Sequence, residues 1–146
     1  MSNLYKELES QQKGSQTSLE EALSALKFNE AGLIPVIAQQ HDTGEVLMMA
    51  WMNRVSIEET LKTQQVCYWS RSRNNYWRKG ESSGNQQKLI SMSTDCDGDT
   101  LLLKVEQLGA ACHTGRRDCF YNEIKPEGLT ISSDPIQDPN QLYSKS

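Results

Sequence analysis

No apolar run in this chain of 146 residues approaches the roughly 18 residues that a membrane-spanning helix requires. The start, Met-Ser-Asn-Leu-Tyr-Lys-Glu-Leu-Glu, has no apolar h-region and no small-residue cleavage site, so no secretory signal is read there and a cytoplasmic location is expected. A basic excess is also missing: the formal net charge is −4, which argues against a general binder of nucleic acid or membrane surfaces. There is no internal repeat, no C-x₂-C finger, and neither the His-x-Glu nor the Pro-Cys-x-x-Cys string of zinc deaminases. What is present is a set of cysteines at 67, 96, 112 and 119. In a reducing compartment such thiols point to metal binding or catalysis rather than to disulfides. The length fits one domain that can fold without covalent staples.

Residues 1–17 are polar and rich in Gln, Ser and Lys, and read as a flexible N-terminal extension or frayed helix. Ser18-Leu19-Glu20-Glu21 fits a capping box and predicts an amphipathic helix to about Lys27. The stretches from Leu33 to Ala38 and from Val46 to Trp51, around Asp42-Thr43-Gly44-Glu45, predict two strands joined by a turn. Pro35 favours an edge or strand-start position. A second box, Ser56-Ile57-Glu58-Glu59, predicts a helix to about Gln64. Further strands are expected at 66–69, 86–93 and 100–106. The body, residues 18–125, is thus mostly β (α+β) with two or so short helices. Residues 126–146 read as a polar C-terminal tail outside the core.

Asp95, Asp97 and Asp99 alternate with Cys96 and Gly98. In an extended backbone the carboxylates would share one face and the thiol would take the other. Carboxylate oxygens suit a hard ion such as Mg²⁺ or Ca²⁺, and a thiolate suits Zn²⁺. Taken alone the segment is equally a polar turn. A calcium loop ending at Glu106 also fits in part, although the glycine falls at the fourth position and 101–105 reads as a strand. Cys112 and Cys119 follow in Ala-Cys-His-Thr-Gly-Arg-Arg-Asp-Cys. With Cys96 they make three thiols, the number of protein ligands common in catalytic zinc sites. His113 is the candidate proton carrier, since adjacent residues rarely ligate one ion comfortably. Cys67, between Val66 and Tyr68, reads as a buried strand residue.

The stretch from Tyr68 to Gly80 gathers Arg71, Arg73, Arg78 and Lys79 with Trp77, and Ser82 and Ser83 follow in a turn-prone run. Guanidinium groups match phosphate oxygens, aromatic rings can stack on a base, and the turn can offer backbone N–H groups to an anion. A solvated strand face or a platform for single-stranded nucleic acid has the same ingredients. The negative net charge favours a compact nucleotide.

Together Gly32-Leu-Ile-Pro-Val-Ile-Ala, Met48-Met-Ala-Trp-Met-Asn53, Tyr68-Trp-Ser-Arg-Ser-Arg73, Trp77-Arg-Lys-Gly80, Ser82-Ser-Gly84, Asp95-Cys-Asp-Gly-Asp99 and Ala111-Cys-His-Thr-Gly115 with Cys119-Phe120 resemble the phosphoribosyl-AMP cyclohydrolase family. The resemblance spans roughly residues 28–124. It implies hydrolysis of the purine N1–C6 bond of phosphoribosyl-AMP in histidine biosynthesis. It implies Mg²⁺ at Asp95, Asp97 and Asp99, and Zn²⁺ at Cys96, Cys112 and Cys119. It also implies an intimate homodimer on a large mixed, twisted β-sheet, with the zinc ligands drawn from both subunits. Many relatives have histidine where this chain has Asn85. Many also carry a pyrophosphohydrolase domain, an activity expected here from a separate protein. Substrate contacts are expected at Arg71, Arg73, Trp77, Arg78, Lys79, Ser82 and Ser83, and catalysis at His113. The non-enzymatic alternative is a zinc-stapled module that binds nucleic acid or a partner.

Overall fold

The structure, a computed structural model, describes residues 4–143; residues 1–3 of the expected extension and 144–146 of the expected tail lie outside them. In order the chain forms α1 (Leu4–Leu8), α2 (Leu19–Ser24), β1 (Ile34–Gln40), β2 (Val46–Met52), α3 (Arg54–Thr63), β3 (Cys67–Ser70), β4 (Asn75–Arg78), β5 (Gln87–Thr94), β6 (Leu101–Gln107), β7 (Asn122–Lys125), β8 (Gly128–Ile131) and α4 (Pro139–Tyr143). Six strands make one sheet in the order β4-β3-β2-β1-β6-β5, and β7 and β8 form a separate hairpin. Only β1 and β6 run parallel; the other neighbours are antiparallel. The fold is therefore mostly β around a mixed sheet, as the sequence predicts.

Period-two alternation sets the core. Ile34, Val36 and Ala38 of β1 are buried beside Leu101, Leu103 and Val105 of β6. Leu23 and Leu26 from the α2 region and Ile57 from α3 belong to the same cluster. Residues at the intervening positions form the opposite face. There Ile37 lies in register with Met49 on one side and Leu102 on the other, and Met49 is exposed. Pro35 stands one residue before the β1–β6 register begins at Val36 opposite Leu101. This is the strand-start position at which a missing N–H is tolerated, although β1 itself is central.

Two helix boundaries depart from expectation for visible reasons. α2 is capped by Ser18, whose Oγ accepts from the Glu21 N–H at 3.2 Å, but it stops at Ser24 because the Lys27 N–H donates to Gly98 O at 2.8 Å instead of continuing the helix. α3 begins earlier than the Ser56 box suggests. Asn53 is the cap: its Oδ1 accepts from Ser56 N at 2.8 Å, and Ser56 Oγ accepts from Asn53 N at 2.9 Å. Ser56 is thus the third helical position of the box rather than its start. The stretch after 125 is exposed along β8, yet Gln137 ties it back to the body by accepting from the Ala110 N–H at 2.7 Å.

Candidate functional site

The segment Asp95–Asp99 is a turn between β5 and β6 and not an extended strand, which corrects the alternating-face reading. The Asp95 N–H donates to Thr100 O at 3.0 Å, the Gly98 N–H to Asp95 O at 3.2 Å, and the Asp99 N–H to Asp95 Oδ1 at 3.0 Å. Gly98 takes φ +72°, and its missing Cβ leaves room for the ring of Tyr5 from α1. The turn achieves by curvature what a strand would achieve by alternation: one oxygen each from Asp95, Asp97 and Asp99 lies within 4.8 Å of the others. Partial burial works against ionisation of Asp95, but hydrogen bonds from the Asp99 side chain and from nearby backbone N–H groups together hold its carboxyl below the usual range. The hydrogen bond to Asp95, with burial and the neighbouring carboxylates, pushes Asp99 up. Converging carboxylates of this kind are relieved by a hard cation, so the donor set fits Mg²⁺.

The thiols divide into two places. Cys112 and Cys119 sit on a tight loop after β6. The Ala111 N–H donates to Arg117 O at 3.0 Å, the Cys112 N–H to Arg116 O at 3.1 Å, and Gly115 N–H to Cys112 O at 3.0 Å. The Cys119 N–H then anchors to Leu47 O of β2 at 2.8 Å. Burial pushes the Cys119 thiol up to about 12, and its hydrogen-bonded neighbour Cys112 adds to the effect. Two thiols held together in this way suit a thiophilic ion, whose binding would deprotonate them. Cys96 is exposed on the Asp turn. Among the described residues, the groups with three mutually close ligand atoms are Asp95, Asp97, Asp99 and His41, Asp42, Glu106. The three cysteines are not such a group, so a single chain supplies two of the three expected zinc thiols in one place. All four cysteines are free, and Cys67 is buried in β3 as the sequence suggests.

Beside the Cys112–Cys119 pair lies a pocket of about 250 Å³. Its walls bring Arg73, Trp77, Lys79, Ser82 and Ser83, from one stretch of the chain, together with the distant His113, all of them expected at the site. β3 and β4 form a hairpin that orients the aromatics: Tyr68 pairs with Trp77 and Trp69 with Tyr76, their rings 5.4 and 5.0 Å apart. Gly80, at φ +86°, opens the turn that carries Ser82 and Ser83.

The remaining cations are placed differently. The Arg71 guanidinium lies 4.6 Å from the Trp51 ring centroid, and Lys79 Nζ donates inward to Ala111 O at 2.6 Å. Arg78 is held by Glu59 through two bonds of 2.8 Å. A larger cavity of about 590 Å³ runs along this pair and is lined also by Lys62, Lys79 and Glu81, and His113 is not among its lining residues. The smaller pocket is the one that brings His113 together with Arg73, Trp77 and the Ser82–Ser83 turn. The Arg78 hydrogen bonds keep the Glu59 carboxyl below its usual range. Such a depressed carboxyl stabilises the fold fully above its unfolded value of about 4.3 and ceases to as pH falls through the lower native value. The difference in urea midpoint between the natural chain and Arg78→Met should accordingly be present at pH 6 and shrink as the pH falls below about 4.

Two contributors, Arg117 and Gln137, were not singled out from sequence, and Asn85 was noted there only as a departure from many relatives. Arg117 donates to Gln107 O, Gly109 O and Gln40 Oε1 at 2.8–3.0 Å, clamping the cysteine loop to the ends of β1 and β6. Asn85 Nδ2 donates to Ala110 O at 3.2 Å and to Gln137 Oε1 at 2.8 Å. Gln137 completes that link from the C-terminal segment. Lone polar residues carry no periodic signal, so only their partners identify them.

A family model described as phosphoribosyl-AMP cyclohydrolase matches residues 48–121. A curated relative named phosphoribosyl-AMP cyclohydrolase, from Alcanivorax borkumensis, is 61% identical over 142 residues, covering 97% of this chain and 100% of its own length. Its counterpart from Alkalilimnicola ehrlichii is 57% identical with the same coverage, and that from Rhodospirillum rubrum is 62% identical over 82% of this chain and 85% of its own.

Proposed function

This chain belongs to the phosphoribosyl-AMP cyclohydrolase family, and from that premise we propose that it hydrolyses the N1–C6 bond of phosphoribosyl-AMP, a step of histidine biosynthesis. As a member of that family it is a hydrolase acting on a C–N bond. The observation that carries the substrate reading is the pocket joining His113 to Arg73, Trp77, Ser82 and Ser83 beside the Cys112–Cys119 pair.

Alkylation at N1 makes the purine electrophilic at C6. Trp77 offers a face for the base, Arg73 a guanidinium for a phosphate, and the Ser82–Ser83 turn hydroxyl and N–H donors. His113, exposed on the pocket wall, takes the proton of the attacking water as its oxygen joins C6 and returns a proton to N1 as the bond breaks. C6 is left as a carboxamide. In this reading Asp95, Asp97 and Asp99 would hold magnesium, which when bound would supply positive charge for orienting the substrate. Cys112 and Cys119, with Cys96 of a second copy, hold zinc, which when bound supplies Lewis acidity for water activation.

The separation of Cys96 from the other thiols supports the homodimer. So does the apolar strip of Met49, Ile37 and Leu102 on the face of the sheet away from the core. The preceding removal of pyrophosphate is assigned in this reading to a separate protein. No helix among the described residues is long and apolar enough to cross a membrane, and free thiols are in keeping with the cytoplasm. Purified protein supplied with zinc and magnesium should convert phosphoribosyl-AMP with the ultraviolet change of ring opening, and a zinc chelator should stop it. An inert metal-replete protein would sink the reading.

A further inference from the structure

Lys79 is the one charged side chain in the buried set among the described residues, at 6% exposure. Its position is well defined. Nζ donates to Ala111 O at 2.6 Å, the carbonyl directly preceding Cys112, and stands 5.4 Å from the Trp77 ring centroid. None of the ion pairs among the described residues involves it. A buried ammonium without an anion is costly, and proteins retain one only where a counter-ion or strong hydrogen bonds compensate. Cys112 follows the carbonyl that Nζ bonds and Cys119 closes the same loop, so these thiols are the groups beside it that a bound cation would make anionic. The chemistry of the ion explains the need. Three thiolates around a divalent cation leave one net negative charge in a half-buried site, and one fixed ammonium cancels it.

We infer that Lys79 is the countercharge of the Cys112–Cys119 thiolates, a positioning residue that stabilises the zinc-loaded site rather than a ligand for substrate phosphate. The inference rests on the zinc reading above and adds to it a residue outside the ligand set. It also accounts for a lysine in the basic, aromatic stretch that borders the pocket yet donates inward to Ala111 O.

Zinc affinity tests it, measured on metal-free protein by competition with a chromophoric chelator. Lys79→Met removes both charge and hydrogen bond, Lys79→Gln removes the charge but keeps a donor, and Lys79→Arg keeps both. Loss of a neighbouring opposite charge typically shifts such an equilibrium by about tenfold or more. The Met and Gln variants should therefore bind zinc at least about tenfold more weakly than the natural chain, while Lys79→Arg stays within about threefold. At saturating zinc the KM of Lys79→Gln for phosphoribosyl-AMP reads separately whatever contact Lys79, which also borders the pocket, makes with substrate. Unchanged zinc affinity with a raised KM would overturn the inference in favour of a phosphate contact. Natural affinity in Lys79→Gln with weak binding in Lys79→Met would overturn it in favour of the hydrogen bond alone. If the natural chain itself fails to compete for zinc, the zinc reading falls and the inference with it, an outcome visible before any variant is made. Should Lys79→Met not fold, the Gln and Arg variants carry the comparison.

Discussion

A Cys96→Ser chain mixed with a Cys112→Ser chain should recover turnover that neither shows alone. The expectation follows from the separation of the thiols. Cys112 and Cys119 share one loop, whereas Cys96 sits on the exposed Asp turn and joins no three-ligand group with them. If each zinc site takes Cys96 from one subunit and the pair from the other, every homodimer of either variant has two broken sites. A mixed dimer has one site broken twice and one intact. Random exchange makes half the dimers mixed, so activity should return to about one quarter of the natural level in a two-fold symmetric assembly. Each variant alone should lose activity by several orders of magnitude, since a tris-thiolate zinc site with a ligand removed loses both affinity and ligand geometry. Reassortment through mild denaturation, followed by zinc analysis and an ultraviolet assay, measures both. Absence of recovery in a verified mixed dimer would show that all three thiols come from one chain, and that the loop and the Asp turn move together on binding metal.

Gly80→Ala should destabilise the protein by about 2–4 kcal/mol, from the left-handed backbone penalty and the overpacking together. Gly80 lies at φ +86°, and an added Cβ would stand 2.5 Å from Gln86 N and 2.7 Å from Asn85 C. Both are backbone atoms, so no side-chain rotation relieves the contact. The residues that would shift carry function: the turn from Gly80 bears Ser82 and Ser83 on the pocket wall and leads to Asn85 beneath Ala110. Gly84 is the internal control. It has φ +81°, but a Cβ there meets nothing within 4 Å. Gly84→Ala should therefore cost only about 1–2 kcal/mol, the conformational part alone. Urea unfolding of the two variants separates the contributions, and equal losses would mean that the turn relaxes around the Gly80 methyl.

Much of this fold could be read from period and punctuation. The alternation in 34–40 and 101–107 marks strands because each has one face in the core, and that pattern survives any rearrangement of the loops. β4 was less legible. Asn75-Tyr-Trp-Arg78 has only partial burial, so its sequence resembles a solvated cluster until Tyr68 and Trp69 are seen paired across from it. The start of α3 was misplaced for a related reason. Ser56 and Asn53 both have capping chemistry, and the choice between them shows only in the reciprocal bonds that bury Ser56.

The residues by themselves determined the chemistry available: three carboxylates for a hard ion, three thiols for a soft one, one imidazole beside a thiol, and a basic, aromatic stretch for a nucleotide. Side-chain identity fixes ligand hardness and proton affinity without reference to fold, which is why the candidate groups could be picked out by type, while their assignment to magnesium and zinc is what the family resemblance implies. Tertiary structure decided how those groups are distributed. It curved Asp95–Asp99 into a turn whose oxygens converge, parted Cys96 from Cys112 and Cys119, tied Arg78 to Glu59, and turned Lys79 into the protein. Each of these depends on contacts between segments far apart in the chain, and such contacts leave no mark in local composition.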